Sequence, residues 1–203
     1  MATLTVFTPL YNRINTLKRT YESLKRQTSK DFVWLIIDDG STDNPYEIIK
    51  EWIKINNGFE IRYVYKKNGG MHTAHNTAYE NIDTELNVCV DSDDYMPDNA
   101  VQLIIDCWNK NKNKGYAGII ALDFADSTKK VIGKELPTDK ESTTLMGYYN
   151  NGGFGDKKLI YRTDIIKQTP PYPVFDNEKY VALAYKYHLI DEKYELKILN
   201  ECV

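Results

Sequence analysis

The stretch "FVWLIID", Phe32–Asp38, constrains this chain more than any other. A strand with one wet face would alternate apolar and polar residues. A continuous apolar run of strand length is instead the pattern of a parallel strand covered on both faces. The flanking segments supply the cover. "LTVFT" (Leu4–Thr8) reads as a strand, and "TLKRTYESLKRQ" (Thr16–Gln27) places Leu17, Tyr21 and Leu24 at helical spacing. After Phe32–Asp38 comes a helix over Asn44–Asn56, capped by Asp43 or Asn44 with Pro45 at its start. A strand over Glu60–Tyr65, a short helix in "MHTAHNTAYEN", a strand over Leu86–Asp91 and a helix over Pro97–Asn111 follow. This alternation predicts an α/β fold, Rossmann-like, with a mostly parallel twisted sheet and helices on both faces. Ligands of such sheets bind beyond the carboxyl ends of the strands, so residues directly after strands are the candidates for chemistry.

The rhythm weakens after "AGIIALDF" (Ala117–Phe124). Residues 126–155 are polar and glycine-bearing, "KLIYRTDIIKQ" suggests a strand and a short helix, and "PPYPVFD" is a proline-rich loop. A helix is expected over Asn177–Ile190 and a last strand in "YELKILN". We expect one domain over 1–203, with a ligand-binding half (1–115), an acceptor-facing half (116–203) and a truncated carboxyl end. The balance of 26 basic and 29 acidic residues, net −3, offers no global attraction for nucleic acid or an anionic membrane. Of three cysteines, Cys89 and Cys107 fall in apolar patterns and read as small buried hydrophobes, which suits a reduced, cytoplasmic setting. The amino terminus has no signal-peptide pattern, and no apolar run approaches the roughly 20 residues of a membrane span.

Four loops follow the first four strands. "TPLYNR" (Thr8–Arg13) follows the first, and "DDGSTD" (Asp38–Asp43) follows the second, as a site or a plain turn. "KKNGG" (Lys66–Gly70) follows the third, entering a helix as a phosphate cradle or an Asn-Gly turn. "DSDD" (Asp91–Asp94) closes the fourth. Crowded carboxylates at a strand end repel one another unless a cation compensates. Oxygen ligands of this type suit magnesium or manganese, which leave positions open for substrate phosphates. Asp94 is either a helix cap or a supporting group, and Asp98 is assigned to the first turn of the next helix.

Taken in order, "TPLYNR", "DDGSTD", "NGG" and "DSDD" resemble the inverting family 2 glycosyltransferases of the GT-A fold, over roughly Thr3 to Val203. The resemblance implies a nucleoside-diphosphate-sugar donor, by family habit a UDP-sugar, a divalent metal (Mn2+ or Mg2+), and transfer to an acceptor hydroxyl with inversion. It implies that Pro9 and Tyr11 line the base pocket and that Asp39 hydrogen-bonds the base. Asn68 and Gly69 would lie beside the nucleotide, Asp91 near the ribose or in the metal's shell, and Asp93 on the metal. A base is also required on the far side of the sugar. The family's later segments match "GDKKLIYRTDII" and "FDNEKYVALAYKY". Glu178, at a helix start, is the first choice as base, Asp156 the second and Asp176 a weaker neighbour. The family pattern has a Glu-Asp pair where this chain has Glu178 followed by Lys179.

His75 is expected either beside the diphosphate or, with His72, on a solvated helix face, and His188 is expected to be structural. "GGFG" (Gly152–Gly155) reads as a flexible acceptor loop. A glycan or lipid-linked acceptor would place the protein at the inner face of the membrane without a span of its own. Two other classes share the features. One is nucleotidyltransfer, which normally needs a glycine-rich basic loop after the first strand that "TPLYNR" lacks. The other is a non-catalytic nucleotide-sugar-binding module or fragment.

Overall fold

The computed structural model describes residues 2–203. The chain alternates strand and helix as far as its middle: β1 (Leu4–Leu10), α1 (Ile14–Arg26), β2 (Phe32–Asp38), α2 (Tyr46–Lys54), β3 (Glu60–Tyr65), α3 (Met71–Asn81), β4 (Leu86–Cys89) and α4 (Ala100–Asn111). β5 (Gly118–Leu122) then precedes three two-residue strands, β6 (Phe124–Ala125), β7 (Lys130–Val131) and β8 (Ser142–Thr143). α5 (Leu145–Asn150), β9 (Lys157–Arg162), α6 (Thr163–Gln168), α7 (Ala184–Asp191) and β10 (Leu196–Cys202) complete it. One sheet runs β3-β2-β1-β4-β9-β5-β10-β8, while β6 and β7 form a separate ribbon. β3, β2, β1 and β4 are mutually parallel, and β9 runs antiparallel to both β4 and β5. The sheet is therefore mostly parallel and takes strands from both halves of the chain.

The unbroken apolar runs have the expected cause. Alternate residues of β1 and β2 enter two different cores. Val6, Trp34 and Ile36 pack with Leu17, Tyr21, Leu24, Ile49, Trp52 and Trp108 from α1, α2 and α4. Phe7, Leu35 and Ile37 pack on the opposite face with Ala74, Ala78, Tyr79 and Ile166 from α3 and α6, and with Tyr172. On the first face the rings of Tyr21 and Trp52 stack at 4.2 Å and 10°. Trp34 lies 6.0 Å from Tyr21 and donates its indole N–H to Thr8 Oγ1 at 3.0 Å, so the ring is buried without orphaning its polar atom.

Several local expectations change. Residues 177–183 are not helical, and α7 begins only at Ala184. This segment instead crosses the β3–α3 loop. The Lys179 carbonyl oxygen sits where a Cβ on Gly70 would be, 2.1 Å from that position, and the Lys179 amine donates to Asn68 Oδ1 at 2.6 Å. Val181 and Leu183 reach the second core from this non-helical chain. Asp98 precedes α4 and pairs with Arg26 Nε at 3.0 Å rather than sitting in a first helical turn. Asp43 does not cap α2. Its carboxylate accepts the amide N–H of Ile14 at 3.0 Å, at the start of α1. Cys89 and Cys107 are half-buried, and the three cysteines are free thiols. Among the described residues no helix is long and apolar enough to cross a membrane.

The histidines reverse their expected places. His72 and His75 are fully buried, and His188 is exposed. His75 packs edge-on against Phe7, Tyr79 and Tyr172, with Nδ1 3.2 Å from Tyr79 Oη and Nε2 3.7 Å from Cys89 Sγ. Burial, followed by the charges of His72 and Lys186, holds its pKa down at about 3. An unfolded chain protonates this ring near pH 6.5, which the folded core resists, so stability falls as pH drops below about 6.5 and continues to fall toward about 3. The share carried by His75 is about 2 kcal/mol at pH 5. Urea unfolding at pH 7 and pH 5 is expected to show that loss in the native chain and a much smaller one in His75→Phe.

Candidate functional site

β1, β2, β3 and β4 end on the same edge of the sheet, and their following loops converge there. They enclose a cavity of about 560 Å3. Pro9, Tyr11, Asp39, Asn68, Asp91 and Asp93 all line it, together with Arg13, Gly70, Met71 and Lys179. Six of the ten candidate site residues named from the sequence therefore share one wall. Gly69 sits just behind it, with its N–H turned to Asp39.

The two aspartates that end β2 do different work. Asp38 is buried and accepts the Ser41 N–H at 2.8 Å and the Tyr63 hydroxyl at 2.5 Å, which shapes the turn. Burial, then the bond to Asp38, pushes the Tyr63 hydroxyl well above its ordinary pKa. Asp39, also buried, is ringed by the next loop. Its Oδ1 accepts from Lys66 Nζ at 2.5 Å and Gly69 N at 3.0 Å. Its Oδ2 accepts from Gly70 N at 2.8 Å and Asn68 Nδ2 at 3.0 Å. Gly40, at φ +79°, makes this approach possible, because a Cβ there would lie 2.7 Å from Asn68 N.

The acidic loop after β4 turns tightly, with Asp94 N–H donating to Asp91 O at 2.9 Å. Asp91 and Asp93 face the cavity. Asp93 is ion-paired with Arg13 of the β1–α1 loop, both side chains being about half exposed. Asp94 makes no helix-capping contact, since α4 begins behind Asn99 without a side-chain cap. Burial raises its carboxyl above the ordinary range. The positive charge of Lys158 opposes the shift, and Asp91, Asp123 and Asp93 add to it. Lys158 is itself buried on β9, with Nζ 3.1 Å from Asp123 Oδ2. Arg13 and Lys158 are the cations that the sequence did not single out. Arg13 stood within the quoted "TPLYNR", whereas nothing local marks Lys158, whose neighbours come from other strands.

Asp156 is exposed just before β9, and Glu178 is exposed in the crossing segment. Neither lines the cavity, although Lys179, next to Glu178, does. Glu178 lies six residues before α7, so it is not a first-turn glutamate; its backbone N–H donates to Phe175 O at 3.4 Å. In the "GGFG" loop Gly152 and Phe154 are exposed, while Gly153 and Gly155 are closely packed. A Cβ on Gly153 would meet the Tyr148 ring at 2.5 Å, and one on Gly133 would meet Phe154 O at 2.1 Å. Among the described residues, no three His, Cys, Asp or Glu side chains converge as a preformed metal cage.

The overall fold recurs in solved structures. The Staphylococcus aureus TarS 1–349 structure aligns with a TM-score of 0.73 at 22% identity, over 98% of this chain and 58% of that one. TarS has also been solved in complex with UDP, where the TM-score is 0.69 at 21% identity, over 98% of this chain and 58% of that one. A Pyrobaculum calidifontis mannosyltransferase in complex with GDP-Man and Mn2+ aligns at 0.63 with 14% identity, over 98% and 54%. These likenesses establish the GT-A fold. In sequence, an uncharacterised glycosyltransferase of Rickettsia conorii is 30% identical over 70% of this chain and 24% of its own length. An Escherichia coli chondroitin synthase is 33% identical over 77% of this chain and 20% of its own. The chain thus spans about a quarter or less of these relatives. The model of glycosyl transferase family 2 matches residues 5–169, a span that holds all four post-strand loops, and the chain belongs to that family.

Proposed function

We propose that this chain binds a UDP-sugar and transfers the sugar, with inversion, to a hydroxyl of a glycan or lipid-linked acceptor. The observation that carries this reading is the convergence of Pro9, Tyr11, Asp39, Asn68, Asp91 and Asp93 on one cavity at the carboxyl edge of the sheet. The UDP complex of TarS, of like fold, supports the choice of donor. Pro9 and Tyr11 form the apolar side on which the base lies. Asp39, whose carboxylate accepts from four donors, holds the β2 and β3 loops at the depth the base needs, and one of those donors yields its place to the N–H of the base. Asn68 and Gly69 flank the nucleotide. A lipid-linked acceptor would bring the protein to the cytoplasmic face of a membrane.

The residues present fit a divalent cation. Asp91 and Asp93 stand two residues apart on an open wall, and magnesium or manganese takes one or two carboxylates and leaves its other positions to phosphate oxygens and water. The Mn2+ complex of the Pyrobaculum enzyme supports this assignment. When bound, such a cation neutralises charge on the departing diphosphate. Asp93 would hold it directly and Asp91 would reach it or the ribose, with Arg13 giving up its pairing to the Asp93 carboxylate. Glu178 takes the proton of the acceptor hydroxyl. The acceptor oxygen bonds to the anomeric carbon from the face opposite the diphosphate, the bond from that carbon to the β-phosphate oxygen breaks, and UDP leaves. Asp156 is the alternative base.

Calorimetry should detect UDP binding that strengthens with Mn2+, and Asp93→Ala should lose at least about 100-fold of the Mn2+-assisted affinity. A folded native chain that binds no UDP with Mn2+ would sink the reading. Glu178→Ala should bind UDP as the native chain does, while sugar transfer falls about 10^2- to 10^4-fold. Transfer that persists at native rate in Glu178→Ala moves the base to Asp156. Release of UDP rather than pyrophosphate separates sugar transfer from nucleotidyl transfer.

A further inference from the structure

Two cations line the cavity, Arg13 and Lys179, against three carboxylates, Asp39, Asp91 and Asp93. Arg13 is paired with Asp93. Lys66, just behind the wall, is paired with Asp39 and also donates to Thr73 Oγ1 at 2.7 Å. Among the described residues, no carboxylate lies within ion-pair distance of the Lys179 amine. That amine donates instead to the neutral side-chain carbonyl of Asn68, at 2.6 Å. An ammonium in that state keeps its charge uncompensated at the mouth of an otherwise acidic cavity, with two further donor hydrogens available.

The backbone beneath this side chain is fixed by a close contact. The Lys179 carbonyl lies over Gly70, whose φ of +94° and missing Cβ permit the contact. Gly70 and Met71, at the start of α3, also line the cavity, so the positive end of that helix faces the same space. The segment carrying Lys179 comes from the second half of the chain. It contacts the nucleotide-side loop through Asn68, whose amide in turn donates to Asp39.

We infer that Lys179 is a donor-binding residue, whose amine bonds a non-bridging oxygen of the nucleoside diphosphate and so positions Glu178, its chain neighbour, beside the sugar. The inference rests on the donor reading above and assigns a phosphate-binding role to the position where the family's pair has its second acid. A charge-assisted bond from one point cation to a diphosphate is directional in charge but tolerant in geometry, which makes arginine a fair substitute and methionine none.

The test is calorimetry in Mn2+ with UDP and with uridine, which lacks the phosphates, on the native chain, Lys179→Met and Lys179→Arg. Lys179→Met is expected to weaken UDP at least about tenfold and leave uridine unchanged, and Lys179→Arg to recover most of the loss. UDP affinity within about twofold of native in Lys179→Met would overturn the inference. So would an equal weakening of UDP and uridine, which would mean that Lys179 acts only by bracing Asn68. A native chain that binds UDP while Lys179→Met does so equally well removes this inference alone. A native chain that binds no UDP removes it together with the donor reading.

Discussion

Asp39 leaves β2 beside a second aspartate, and both carboxylates lie inside the protein. Two adjacent buried anions would repel each other strongly without compensation. The chain separates them by function. Asp38 turns into its own loop and to Tyr63, while Asp39 turns to the loop after β3 and gathers an ammonium, a side-chain amide and two backbone N–H groups. Removing one partner of a buried pair leaves a charge uncompensated and typically costs about 3–5 kcal/mol. Buried charge and hydrogen bonds therefore tie the second loop to the third beyond the end of the β2–β3 ladder. Asn68 extends the network to Lys179, which brings the second half of the chain against the first.

The acidic loop after β4 is stabilised differently. Asp91, Asp93, Asp94 and Asp123 lie near one another, and two cations answer them from distant elements. Lys158 is buried, so its attraction to Asp123 and Asp94 is little screened; the raised pKa of its amine shows that attraction outweighing its own desolvation. Arg13 is half exposed, and its pair with Asp93 is of the kind worth little in water. A strong internal counter-ion fixes the back of the loop, while a weak one leaves its front carboxylate available for exchange.

Elements whose pattern is local and two-sided were legible in the sequence. β2 and β3 fall at Phe32–Asp38 and Glu60–Tyr65, as read from the apolar runs and their flanking turns. Periodicity misled where tertiary contact overrode it. Val181 and Leu183 sit at positions that a helix would also bury, but the chain reaches the same core in a non-helical path because Lys179 is tied to Gly70 and Asn68. His72 and His75 share a polar-looking helix with a weak apolar face, and only the aromatic cage of Phe7, Tyr79 and Tyr172 shows that the helix is buried there. That cage is assembled from three separate segments, so no window of the sequence contains it.

The site divides along the same line. Its nucleotide side is built from four loops, each directly after a strand, and strand ends are readable; that is why Pro9, Tyr11, Asp39, Asn68, Asp91 and Asp93 were found and meet in one wall. Its other side depends on where the later half crosses the earlier one. Gly70 records that crossing, because it needs both a positive φ and an absent Cβ, whereas the sequence shows only an Asn-Gly-Gly turn. The turn and the crossing ask for the same residue. A glycine chosen for close backbone approach is indistinguishable, in sequence alone, from one chosen for a bend. The approaching partner lies far along the chain in a segment whose own periodicity argues for a helix. Lys179 therefore reads as a helix-face lysine until the backbone beneath it is known, and only then as a charge held over the mouth of the cavity.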